Sequence, residues 1–152
     1  MESRKNNFND LKVNELLIKH FNELTAVSPY DRGHVLDING LKDPNILFWS
    51  FWENNSYLIG CGAIKFIDKK NGEFKSIRVS NSFRGKGYGI KIIQDLIYKA
   101  KKLNLKKISL ETGKDNFFSP ARKLFLKYGF KICPPFAHYK EDDDACYMNL
   151  KI

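Results

Sequence analysis

The sequence predicts an α+β fold of the three-layer α/β kind. A mixed sheet opens as an antiparallel meander and continues β-α-β-α-β-β, with helices on both faces. Three observations predict it. Residues 46–80 carry short apolar runs, rich in aromatic and β-branched side chains, broken by polar turns. From Gly87 onward the apolar spacing changes to three and four, the mark of a helix. Strand and helix patterns then alternate to the last residues.

The elements follow in order. Residues 9–24 form a helix, because Val13, Leu16, Leu17, Phe21 and Leu24 recur at helical steps and Asn9 or Asp10 can cap it. His20 falls on the surface of that helix. Residues 28–45 hold Pro29, Gly33, Gly40 and Pro44 and make a loop with room for one short helix. Strands over 46–52 and 57–67 are joined by the turn Glu53-Asn54-Asn55-Ser56. A second polar turn over 68–72 leads to a strand over 73–80. The helix over 87–103 lays Ile90, Ile93, Ile97, Ala100 and Leu103 on one face, and a strand follows over 106–112. Ser119-Pro120 starts the next helix, with serine as cap and proline at the first position, and Gly129 stops it. Two short strands, 130–133 and 145–150, close the chain around Pro134-Pro135 and the acidic run 141–144.

The bulk numbers bound the function. A length of 152 residues suits one domain over 1–152, and 43% hydrophobic with 14% aromatic residues is enough for a core. No apolar run reaches the roughly 20 residues of a membrane span, and the first ten residues lack the apolar stretch of a signal peptide. Cys61, Cys133 and Cys146 are odd in number and far apart, which argues against a disulfide framework or a metal site and fits a reducing cytoplasm. The net charge of +9 suits either a nucleic acid or a polyphosphate ligand. No helix-turn-helix, zinc or ribonucleoprotein motif accompanies it, so a nucleic-acid partner is not expected. Nor is a membrane partner.

The sharpest feature is Arg84-Gly85-Lys86-Gly87-Tyr88-Gly89, between a strand and a long helix. Alternate glycines let the backbone turn tightly and bring N–H groups to a ligand. The helix start adds unpaired N–H groups and a positive dipole end, and Arg84 and Lys86 add charge. A diphosphate fits. The GxGxG spacing differs from the dinucleotide GxGxxG, and the Walker pattern is absent.

Around these residues the chain resembles the GNAT acyltransferase superfamily. Arg84, Gly87 and Gly89 match its R/Q-x-x-G-x-G/A signature, and the helix ending Lys127-Tyr128-Gly129-Phe130 looks like its second hallmark. The pieces SPYDRGHVLDINGL, LETG and PFAHYKEDDDACYM are similar to a subgroup of small bacterial N-acetyltransferases. The resemblance implies acetyl-coenzyme A as co-substrate and a primary amine, expected to be small, as acceptor. No metal is implied. Two copies of the chain could assemble. Carried over, Ile77, Arg78 and Val79 border the pantetheine arm, with an N–H near Val79 polarising the thioester carbonyl. Arg84, Gly85, Lys86, Gly87, Tyr88 and Gly89 hold the pyrophosphate. Phe118 occupies the place of a usual asparagine, and Asn116 is the candidate to compensate for it, a point the resemblance leaves open.

Attack on a thioester needs a neutral amine, and a lysine-like amine is only about 10⁻³ to 10⁻⁴ neutral at pH 7. Glu73 and Glu111 match positions that serve as bases in different branches of the family, and the choice between them stays open. Where many members carry a tyrosine facing the sulfur, this chain has Phe125, so either the thiolate leaves without a protein acid or a group such as Tyr139 or His138 supplies the proton. That departure also keeps open a domain that binds acyl-coenzyme A without turnover. His34 and Asp37 fall on the acceptor side, and the Lys91, Lys99, Lys101 and Lys102 side of the long helix faces solvent or the 3′-phosphate.

Overall fold

The computed structural model describes residues 1–27 and 36–152. Among the described residues, seven strands form one sheet in the order β1-β2-β3-β4-β5-β7-β6. They are β1 (Glu2–Lys5), β2 (Ile46–Glu53), β3 (Tyr57–Phe66), β4 (Asn71–Val79), β5 (Lys107–Gly113), β6 (Lys131–Ile132) and β7 (Ala145–Lys151). Every neighbouring pair is antiparallel except β4–β5. Helices α1 (Leu11–Ala26) and α2 (Ile38–Leu41) cover one face; α3 (Tyr88–Lys102) and α4 (Ser119–Tyr128) cover the other. The mixed three-layer sheet expected from the sequence is therefore present.

The meander is set by its turns. Asn54 and Asn55 both adopt positive φ, the conformation that a tight hairpin turn requires and asparagine tolerates. Asp68 accepts from the N–H groups of Lys70 and Asn71 and so fixes the next turn. The helices lock onto the sheet by apolar stripes. Ile92, Ile93, Leu96, Ile97 and Ala100 of α3 are buried against Ile59, Ile64 and Phe74, whereas Val13, Leu16 and Leu17 of α1 pack on Phe48, Cys61 and Ala63.

Three details depart from the sequence reading. Strand β1 was not expected; its four residues are polar, and only pairing with Trp49–Trp52 of β2 makes them a strand. The buried stripe of α3 is centred on Ile92 and Leu96, while Ile90 and Leu103 are half-buried at its margins. Ser119 is not a cap: a 3-10 turn over Asn116–Phe118 runs straight into α4, so Ser119 is already helical. Asp10 does cap α1, accepting from Lys12 and Val13 N–H, and Gly129 at φ 106° ends α4 as its composition requires.

Candidate active site

Strands β4 and β5 are joined over three rungs only, ending at Glu73 opposite Ser109. Beyond that β4 runs on to Val79 and β5 to Gly113, with β5 paired only to β7. The two parallel strands thus diverge and leave a gap. A bulge in β4 explains the divergence. Cys61 faces Arg78 but Ala63 faces Lys75, so β4 holds one residue too many, and Ser76 sits at φ 51°. The Cys61 thiol donates to the Ser76 carbonyl at 3.3 Å, which satisfies one group the bulge displaces. Past the bulge, Ser80 N donates to Ile59 O on β3. By strand alternation the N–H and C=O of Val79 then point into the gap. The Val79 carbonyl receives Arg84 Nε at 3.3 Å.

At the tip of β4 a 3-10 turn, Asn81–Phe83, delivers the chain to the glycine loop. Gly85 and Gly87 hold φ of 72° and 80°, and a Cβ on either would meet no atom of the described residues within 4 Å. Backbone shape, not crowding, demands glycine here, and open space is left over the loop. Gly89 differs, because a Cβ there would lie 2.8 Å from Leu124 Cδ2 between α3 and α4. No side chain caps α3 and no acid occupies its first turn. The Tyr88 hydroxyl is turned away to Glu53 Oε1 at 2.6 Å, a bond to a carboxylate that raises its pKa. Tyr88 therefore offers the loop only its backbone. Lys86 is exposed, with its ammonium 5.7 Å from the Phe83 ring. A left-handed glycine loop running into an uncapped fifteen-residue helix, with two basic residues beside it, has the chemistry of a diphosphate seat.

The opposite face of β4 is polar and buried. Glu73 is 1% exposed, and its Oε1 accepts from the Tyr139 hydroxyl at 2.5 Å and from Lys75 Nζ at 3.1 Å. Lys75 Nζ also lies 2.8 Å from the Tyr139 oxygen. Glu111 shares this face, since Ile108 and Leu110 beside it point into the α3 core. It is half-buried and faces Tyr147 across β5–β7. Burial, then Glu111, Asp142 and Glu141, hold the Tyr147 phenol above its ordinary range, and its hydroxyl donates to Lys140 O at 2.8 Å. Asn116 is exposed in the 3-10 turn after β5, which Arg122 ties down by donating to Gly113 O and Asp115 O.

Further along β4, the Arg78 guanidinium is buried under α1 and paired with Glu23, leaving its Nε without a partner among the described residues. Burial and then the nearby Arg78 lower the pKa of Arg84 at the start of the glycine loop, whereas Ile77 and Val79 pack toward α3. His20 corrects the expectation of a surface residue: it is 7% exposed, and its Nδ1 has no partner among the described residues. Burial first, then Arg78, with Arg84 adding and Glu23 opposing, push its pKa down to about 4. Its place at three and four residues from Leu17 and Leu16 was the missed signal, because it continues the buried stripe. Lys75 and Glu23 also escaped the sequence reading. Each acts through a partner more than fifty residues away, which no local pattern encodes.

Phe125 is buried edge-on against Phe130, with ring centroids 5.3 Å apart. Asp37 caps α2 by accepting from Gly40 N at 2.8 Å, while His34 lies outside the described residues. The acidic run is a turn in which Asp142 accepts from Asp144 N and Asp144 O accepts from Lys114 N. Lys99 pairs with Asp95 and reaches Ser3, and Lys91 lies over the Tyr88 ring.

A model of the acetyltransferase (GNAT) family matches residues 12–130. The chain is 41% identical over 141 residues to the uncharacterized N-acetyltransferase YsnE of Bacillus subtilis, covering 93% of each. It is 35% identical over 140 residues to the uncharacterized N-acetyltransferase YedL of Escherichia coli, covering 92% of this chain and 87% of that one. The fold is similar to a Bacillus subtilis acetyltransferase solved in complex with CoA, at a TM-score of 0.75 and 21% identity, covering 99% and 98% of the two chains.

Proposed function

Because the chain belongs to the GNAT acetyltransferase family, we propose that it moves the acetyl group of acetyl-coenzyme A to the primary amine of a small acceptor, by direct attack in a ternary complex. The observation that carries this reading is the gap between β4 and β5, which ends at the left-handed glycine loop and the uncapped start of α3. In the reading, the N–H groups from Gly85 to Gly89, with Arg84 and Lys86, take the pyrophosphate. Pantetheine lies along Ile77 to Val79, and the Val79 N–H turned into the gap polarises the thioester carbonyl, a role worth about 10²–10³ in rate. Asn116 stands at the far lip.

Glu73 is favoured over Glu111 as base. It stands on the last shared rung, where the strands part, and is dry enough for a carboxylate to act in a low dielectric. Direct attack is supported by the thiols. Burial pushes Cys61 up to about 12 and raises Cys133 and Cys146, so none is poised to carry the acetyl group.

Two measurements test the assignment. Calorimetric titration with coenzyme A should show binding to the native protein and at least a tenfold loss for Gly87→Val, whose side chain opposes φ 80° and intrudes on the open space. Thiol release from acetyl-coenzyme A should be stimulated by members of a panel of alkylamines, polyamines and amino acids. Unchanged affinity in the variant rejects the cradle; no amine-dependent release across the panel rejects turnover.

A further inference from the structure

The buried polar group on β4 is asymmetric. Both donors that reach Glu73, the Tyr139 hydroxyl and the Lys75 ammonium, converge on Oε1. No hydrogen bond from a described residue falls on Oε2. We propose that Tyr139, backed by Lys75, is the positioning residue of Glu73: it anchors one carboxylate oxygen and so presents the other to the attacking amine. This rests on the reading of Glu73 as base.

The physical need is clear. The terminal torsion of a glutamate is broad and two-fold, so an unanchored carboxyl group would rotate its oxygens through the site. Tyr139 can impose one orientation because it is itself fixed. Its ring is 7% exposed, stacked on His138 at 4.7 Å and packed at an angle on Phe136 and Tyr147 at 5.0 and 5.6 Å. Its N–H closes a turn onto Phe136 O at 3.0 Å. The segment before β7 thus serves as a clamp on a strand more than sixty residues earlier in sequence.

The step balances without a further reagent. The amine nitrogen forms its bond to the acetyl carbon as the carbon–sulfur bond breaks. The amine proton passes to Oε2, directly or through one water, and the thiolate departs with the electron pair. Glu73 returns the proton to solvent or to the thiolate. Tyr139 keeps its own proton throughout, donating it as a hydrogen bond to the anion. Besides Tyr139 and Lys75, the ionisable groups among the described residues on this face include Lys65 opposite Glu73 on β3, Cys61 on β3, Arg78 farther along β4 with Glu23 and His20 of α1 beside it, Glu111 on β5 and Tyr147 on β7.

The test is a double-mutant cycle on Glu73→Gln and Tyr139→Phe, with acetyl-coenzyme A and n-butylamine as the probe pair. Glu73→Gln should lower kcat by about 10²-fold or more. Tyr139→Phe keeps the ring and the fold. It should lower kcat about tenfold, leave KM for acetyl-coenzyme A unchanged, and move the acid limb of the pH–rate profile upward, because the anion loses a donor. The double variant should be no slower than Glu73→Gln alone. An unmoved acid limb in Tyr139→Phe, or losses that multiply in the double variant, overturns the positioning role while the base survives. A Glu73→Gln variant at the native rate overturns both.

Discussion

Glu73 and Phe74 are adjacent on β4 and live in different chemistry. Phe74 enters the α3 face, where Ile64, Ile93, Leu96, Phe125, Phe130 and Met148 share one apolar cluster. Glu73 enters the α1 face, and so do Lys75 and Arg78, each meeting a polar group from a distant segment. The difference teaches how the fold divides its work. The α3 face supplies rigidity and fixes the helix start, the seat proposed for the pyrophosphate, using bulk apolar contact. On the α1 face, charged groups are held dry at the edge of a gap, the arrangement that the proposed reading of Glu73 as base calls for.

The largest expected effect separates the two faces by stability. Phe74→Ala opens a cavity in the α3 cluster and should cost about 3–5 kcal/mol. Glu23→Ala strips Arg78 of its partner, but water can reach the site past Glu23, whose side chain is 32% exposed. That cost should stay near 1–2 kcal/mol, below the figure for a fully buried pair. Urea unfolding of the two variants checks the order. If Glu23→Ala proves the more damaging, the polar face is a structural core and the division fails.

That division also explains what the sequence disclosed. Helical stripes, the Asn54-Asn55 turn and the glycine loop are local, so spacing and residue type were enough to place them, and with them the loop proposed to seat a diphosphate. The bulge at Ser76 was hidden, because nothing in Lys75-Ser76-Ile77 signals an extra residue; it exists only relative to Gly62 on β3. Glu73 could be picked out from the resemblance, but its anchors could not. Tyr139 reaches it from the far end of the chain through tertiary packing alone. His20 was legible in principle and was misread, because a titratable side chain in an apolar stripe looks like its exposed end.

The second effect comes from His20. Its pKa is 6.5 in a free chain and about 4 here, so the unfolded state binds a proton that the folded state refuses between those values. Stability is therefore full above pH 6.5 and is lost as pH falls toward 4, by up to about 3 kcal/mol. Between pH 7 and pH 5, above the ordinary carboxylate range, the loss should be about 2 kcal/mol. His20→Leu should flatten that slope without lowering stability at pH 7, since the buried Nδ1 has no partner among the described residues to lose. Urea midpoints at the two pH values decide it. An equal slope in the variant would place the acid sensitivity elsewhere on the α1 face.

The smallest effect probes whether the α3 face has any share in proton transfer. Phe125 stands where the family resemblance puts a tyrosine that faces sulfur, yet its ring is 6% exposed and edge-on to Phe130. Phe125→Tyr adds a hydroxyl, pKa near 10, to a site walled by apolar side chains. If that oxygen finds no partner, burial costs about 1–3 kcal/mol of stability. A general acid contributes about 10²–10⁴-fold only where proton transfer limits the rate, and a thiolate departs readily without one. The change in kcat at saturating acetyl-coenzyme A should therefore stay within tenfold, with a small gain expected. A hundredfold gain would bring proton chemistry to the apolar face and erase the contrast between Phe74 and Glu73. A hundredfold loss would mean that the Phe125 ring itself packs the sulfur's pocket, so that the dry core extends to the reacting bond.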